Sequence, residues 1–193
     1  MSQTDYLTLL TEAHDFTVRN LYGKTASCDT DLHLKKYDDA SIREACKFVQ
    51  DMLSSVHPLF IVNKCHFICL GANKLLLEKH FQPILTTGYI LLNHCEKEYY
   101  TDREELFRQL KGIQHPMKLK YHAWLTLGDY IIDPTYITTH RVLNPEAYPM
   151  RDSYDNRMIF FKHTAGLFEF DNGTLEYIPQ LTGTSLLDRR MPL

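Results

Sequence analysis

Tyr121-His122-Ala123-Trp124-Leu125-Thr126-Leu127-Gly128-Asp129-Tyr130-Ile131-Ile132-Asp133-Pro134-Thr135 reads as two short strands joined by a tight turn. Side chains alternate between the faces of a strand, and Gly-Asp between two such runs is a hairpin signal. If Leu127 pairs with Tyr130, Asp133 falls opposite Trp124 and diagonal to His122 on one face of the sheet. A slightly longer turn would set Asp133 directly opposite His122. A carboxylate beside an imidazole holds one tautomer and stabilises the imidazolium, which is what a general base requires.

The nucleophile for such a base is sought upstream. Pro58-Leu59-Phe60-Ile61-Val62-Asn63 leads into a run from Lys64 to Lys79 with the spacing of a helix. Asn63 is expected as its N-cap, which places Cys65 in the first turn. Unpaired backbone N–H groups and the positive end of the helix dipole favour a thiolate at that position. Phe67, Ile68, Leu70, Ala72, Leu75, Leu76 and Leu77 make this helix apolar nearly all round, so a central, buried helix is expected. Cys69 lies one turn further along and is read as core packing, because a thiol in the helix interior gains less from the dipole.

The whole chain is compatible with an enzyme of ordinary composition. Its 193 residues suffice for one domain with a substantial core, read as a helical part over 1–57, a core over 58–137 and a β-rich part over 138–193. Hydrophobic residues make up 44%, charged residues 23%, and the formal net charge is −3, so no basic excess points to nucleic acid. The start, Met1 to Asp5, has neither basic residues nor an apolar signal core, and no apolar run approaches the roughly 20 residues that span a bilayer. Five cysteines, at 28, 46, 65, 69 and 95, lack small-scaffold spacing, so a reducing, cytoplasmic setting is expected. Delivery by a route without a cleavable signal remains compatible with this.

Periodicity places helices at about 4–22 and 39–56, the Cys65 helix to about 79–80, and a helix opened in capping-box style by Thr101-Asp102-Arg103-Glu104. Pro83 to Leu92 is expected as a strand with Gly88 as a bulge. Strands are also expected at 158–161, 167–170 and 175–178, the last two flanking the turn Asp171-Asn172-Gly173. The tail after Thr182 has no periodicity and is expected to be loosely held. Helices followed by a mainly antiparallel sheet make an α+β chain.

Cys65 opening a helix, a strand with His122-Ala123-Trp124, and a strand ending Asp133-Pro134-Thr135 together resemble the transglutaminase-like branch of the papain-like cysteine enzymes. The order Cys, His, Asp matches, with 57 positions from Cys65 to His122 and 11 from His122 to Asp133. The resemblance spans about residues 58–137. It implies a papain-like fold with the cysteine helix packed on an antiparallel sheet, a Cys65–His122–Asp133 triad, and acyl transfer through a thioester. The chain departs from the pattern at Lys64, where a glycine is common, at Cys69, where a small residue is common, and at His80-Phe81-Gln82-Pro83, where a Gly-Ile-Pro is usual.

Around that triad, the Cys65 backbone N–H suits an oxyanion hole, Asn63 is the nearest side-chain amide, and Trp124 is a candidate wall of the acyl site. The expected activity is a thiol hydrolase, a peptidase or amidase acting on a peptide or protein substrate. The alternatives are a transglutaminase or deamidase acting on glutamine side chains, and a non-catalytic peptide-binding module on the same fold. No cofactor is expected. Cys65, His66, Cys69, His94 and Cys95 lack zinc-like spacing, no Gly-rich phosphate loop occurs, and neither a nucleic-acid nor a membrane partner is implied. Oligomeric state has no sequence signature here.

Overall fold

Residues 5–22, 32, 34–112, 120–146, 158–170 and 173–187 are described by a computed structural model of the chain. They condense into two compact units, each built from separated stretches of sequence. One gathers the described residues up to Leu34, Thr86–Ala123 and those from Lys162 onward, and the other holds Lys35–Leu85 and Trp124–Phe161.

The first unit joins a long helix to antiparallel strands. Helix α1 (Tyr6–Tyr22) buries Tyr6, Leu10, Ala13 and Thr17, a stripe at helical spacing, against β7 (Gly173–Thr182). Polar groups lock the two together: His14 Nδ1 lies 3.0 Å from Thr182 Oγ1, and the Thr182 N–H donates to Thr17 Oγ1 at 3.1 Å. Strand β1 (Ile84–Leu92) pairs with β7 antiparallel, and the register slips between Thr87 and Gly88, the bulge expected at Gly88. A short strand β2 (Glu96–Glu98), too polar to be read from the sequence, pairs with β1 across a turn whose Asn93 and His94 both have positive φ. Strand β6 (Phe168–Phe170) pairs with β7, while the expected turn residues Asp171 and Asn172 lie outside the described residues. Asp102 accepts hydrogen bonds from the Glu104 and Glu105 N–H groups and so caps α5 (Arg103–Lys111) itself, one residue later than the capping box suggests. Beyond β7 the chain is better anchored than its lack of periodicity implies, because Leu186 and Leu187 are buried.

The second unit holds three helices, α2 (Asp39–Ser54), α3 (Pro58–Ile61) and α4 (Cys65–Glu78), followed by a hairpin, α6 (Tyr136–Leu143) and β5 (Ile159–Lys162), whose last residue counts with the first unit. Helix α2 packs on α4, and α3 packs on α6. Strand β3 (His122–Leu127), whose first two residues count with the first unit, is buried along its whole length. It pairs antiparallel with β4 (Tyr130–Asp133) in the expected register, Leu127 with Tyr130 and Leu125 with Ile132. Only Gly128 of the two turn residues has positive φ, +57°, so glycine holds the first central position as in a type II′ turn. A Cβ there would stand 2.8 Å from the Lys35 carbonyl oxygen, so the position requires glycine for space as well. The Tyr130 hydroxyl donates to Asp39 Oδ1 at 2.9 Å and ties the hairpin to α2. Helix α4 differs from expectation: Cys69, Ala72, Asn73 and Leu76 form a buried stripe, whereas Leu77 is 51% exposed. The chain is thus α+β, with antiparallel strand pairing in both units.

Candidate active site

The approach to Cys65 is built by two consecutive helix starts. His57 Nδ1 accepts from the Leu59 N–H at 3.3 Å and Pro58 opens α3, whose fixed φ suits a first helical position. Val62 ends that turn in an extended conformation, and Asn63 then takes φ +57°, a region asparagine tolerates better than most side chains. Asn63 was expected to cap α4, but the cap position belongs to Lys64, which makes no side-chain capping hydrogen bond. The exposed Asn63 instead turns the backbone. Cys65 is therefore the first residue of α4, one position earlier in the helix than an Asn63 cap would place it and still in the expected first turn. No acidic residue stands in the first turn of that helix, so no nearby carboxylate of its own offsets the dipole.

The two thiols of α4 differ sharply in surroundings. Cys65 is half-buried, whereas Cys69 is fully buried. Burial pushes the Cys69 thiol well above its ordinary value, and the Asp133 carboxylate and the Cys65 thiol add to that effect. A thiol without water or thiolate character is unsuited to nucleophilic attack, so Cys65 is the better candidate of the pair. The same interaction shows that Asp133, on β4, acts electrostatically on the Cys69 thiol of α4.

Asp133 is fully buried and already works locally. Its Oδ1 accepts from the Thr135 N–H at 2.9 Å, the Thr135 hydroxyl at 3.2 Å and the Tyr136 N–H at 3.1 Å. These bonds turn the chain through Asp133-Pro134-Thr135 and start α6, a helix rich in β-branched residues that sequence periodicity did not reveal. The observed β3–β4 register, carried one step further, sets Trp124 opposite Asp133, and Trp124 is completely buried. It can wall a site only from within the core.

In the first unit, His122 is 3% exposed, with its ring stacked on Tyr99 at 5.2 Å between centroids and 30° between planes. Tyr99 carried no signal in the sequence, where it is one of two adjacent tyrosines ahead of a helix cap. Among the described residues no three His, Cys, Asp or Glu side chains form a group able to hold a metal ion, and no helix is long and apolar enough to cross a membrane. No family model, curated protein or solved structure matches the chain.

Proposed function

We propose that the chain is a cysteine-dependent acyl-transfer enzyme on a papain-like, transglutaminase-like core, hydrolysing an amide bond of a peptide or protein. One observation carries the reading: a half-buried cysteine begins a helix with no side-chain cap, and a buried carboxylate from the hairpin acts electrostatically on Cys69, one turn further along the same helix. In the first half-reaction His122 takes the Cys65 proton and the sulfur attacks the carbonyl carbon. The oxyanion develops toward the Cys65 N–H, His122 returns the proton to the leaving amine, and an acyl-thioester remains. Water then gives a proton to His122 and attacks the thioester, which releases the carboxylic acid and regenerates the thiol. Asp133 orients the imidazole. Cross-linking or deamidation of glutamine side chains shares the first half-reaction and differs only in substrate and acceptor.

A non-catalytic peptide-binding module is the second reading, and the three local hydrogen bonds to Asp133 Oδ1 favour it, since they are what a purely turn-forming aspartate would make. Iodoacetamide labelling followed site by site in native protein separates the two. The enzyme predicts Cys65 reacting at pH 7 at least about tenfold faster than the exposed Cys95, a difference lost in His122→Ala, with Cys69 unlabelled. A p-nitrophenyl ester should leave its acyl group on Cys65 and turn over, and neither should occur in Cys65→Ser. Cys65 labelling no faster than Cys95, with no acyl adduct, would overturn the enzyme reading and leave the binding module.

A further inference from the structure

Tyr99 has φ +60°, a backbone conformation that bulky side chains rarely adopt. The kink ends β2 and breaks the strand alternation, so two neighbouring tyrosines part company. The Tyr100 ring packs edge-on against Tyr89 at 5.0 Å, while the Tyr99 ring stacks on His122. Hydrogen bonds made by Thr101 over-determine the kink. The Thr101 hydroxyl donates to the Lys120 carbonyl at 2.7 Å, and Gln180 Nε2 donates to the Thr101 carbonyl at 2.7 Å. Gln180 is itself buried on β7, and Asp102, the next residue, is held as the cap of α5. Lys120 stands two residues before His122, so the clamp that holds the kink also holds the start of the His122 strand.

We propose that Tyr99 is a positioning residue for His122: its ring, fixed by the Thr101–Lys120 and Thr101–Gln180 clamp, sets the plane of the imidazole from which the proposed proton transfer is made. This rests on the reading of His122 as the general base. Strained backbone conformations persist where surrounding structure enforces them, and they concentrate where a side chain must be aimed. Stacking needs only the face of the ring, so the phenol oxygen is dispensable to this role.

Two substitutions test it, with the melting temperature reporting on the fold. Tyr99→Gly removes the ring and relieves the backbone, because glycine accepts positive φ at no steric cost. Tyr99→Phe keeps the stacking face. The readouts are the pH profile of Cys65 alkylation, the NMR signals of the His122 ring, and the melting temperature. Tyr99→Gly should melt as a folded protein, label Cys65 at pH 7 about tenfold more slowly, and show altered, averaged His122 ring signals, while Tyr99→Phe stays within about twofold of the parent. Parental alkylation profile and ring signals in Tyr99→Gly would overturn the proposal. If His122→Ala alone leaves Cys65 reactivity at the parental rate, it is the catalytic reading that fails. The ring signals then decide for Tyr99: unchanged in Tyr99→Gly they refute positioning, and averaged they support it.

Discussion

Replacing Asp133 by alanine and by asparagine separates the two duties of that side chain. In Asp133→Ala the Thr135 and Tyr136 N–H groups lose their acceptor, and both residues are buried, so water does not replace it. A buried donor left without a partner costs about 1–3 kcal/mol, so the two together give about 2–6 kcal/mol. For a chain of this size, melting temperature falls by roughly 2–4 °C per kcal/mol, which predicts a loss between about 4 and 24 °C, centred near 12 °C. Asparagine keeps an acceptor oxygen at Oδ1 and loses only the extra strength of a charged one, about 1 kcal/mol, or a few degrees. Asparagine also removes the negative charge that adds to the effect of burial on the Cys69 thiol and that the proposed triad requires. Asp133→Asn should therefore remain folded, yet slow Cys65 acylation about 100-fold or more. The assays are thermal melts by circular dichroism and acylation rates on the same samples. Asp133→Ala melting within about 2 °C of the parent would refute the capping argument. An asparagine variant that acylates at the parental rate would refute the triad role.

Gly128→Ala puts a side chain where φ is +57° and a Cβ 2.8 Å from the Lys35 carbonyl oxygen, so backbone must shift. The expected loss is about 2–3 kcal/mol, read as a drop of roughly 5–10 °C in melting temperature, and an unchanged melt would contradict it. Burial raises the Cys46 thiol from 9.0 to about 11, so the folded chain holds a proton that the unfolded chain releases above pH 9. The stabilising contribution is whole below pH 9 and is lost as the pH rises toward 11, by about 1–2 kcal/mol after solvent screening. Denaturant titrations at pH 8 and pH 10.5 should show this decline in the parent and a flatter one in Cys46→Ala; equal slopes would count against it.

How far the sequence was legible depended on whether a position obeyed a local rule. The β3–β4 hairpin was readable because alternation, a glycine needing positive φ and a two-residue turn all agree, and the pairing of Leu127 with Tyr130 follows from them. The bulge at Gly88 and the placement of Cys65 in the first turn of α4 are of the same kind. Asn63 was misjudged because asparagine serves two backbone purposes, capping through its side chain and tolerating left-handed φ, and one sequence position does not separate them. Helix α6 was missed since Ile137, Thr138 and Thr139 favour strands in isolation, and the helix starts only because Asp133 collects the N–H groups at its beginning. Tyr99 was beyond local rules altogether: its conformation is enforced by Thr101, Lys120 and Gln180, which are brought together only by the fold.

Asp133 shows why a motif and its bland explanation need not compete. The turn Asp133-Pro134-Thr135 needs a side-chain acceptor to begin α6, and an aspartate meets that need with a single oxygen. A carboxylate has two oxygens and about four acceptor directions, so anchoring Oδ1 in the turn fixes the orientation of the whole group. A general base benefits from a partner whose direction does not wander, because a misoriented carboxylate stabilises the imidazolium less. The same three bonds that make Asp133 look structural would thus make it a better orienting group. Thr135→Val tests that economy: it removes one bond to Oδ1 while keeping both backbone donors. If Asp133 serves only the turn, the loss is confined to stability, about 1 kcal/mol; if it also orients His122, the acylation rate falls in the folded variant as well.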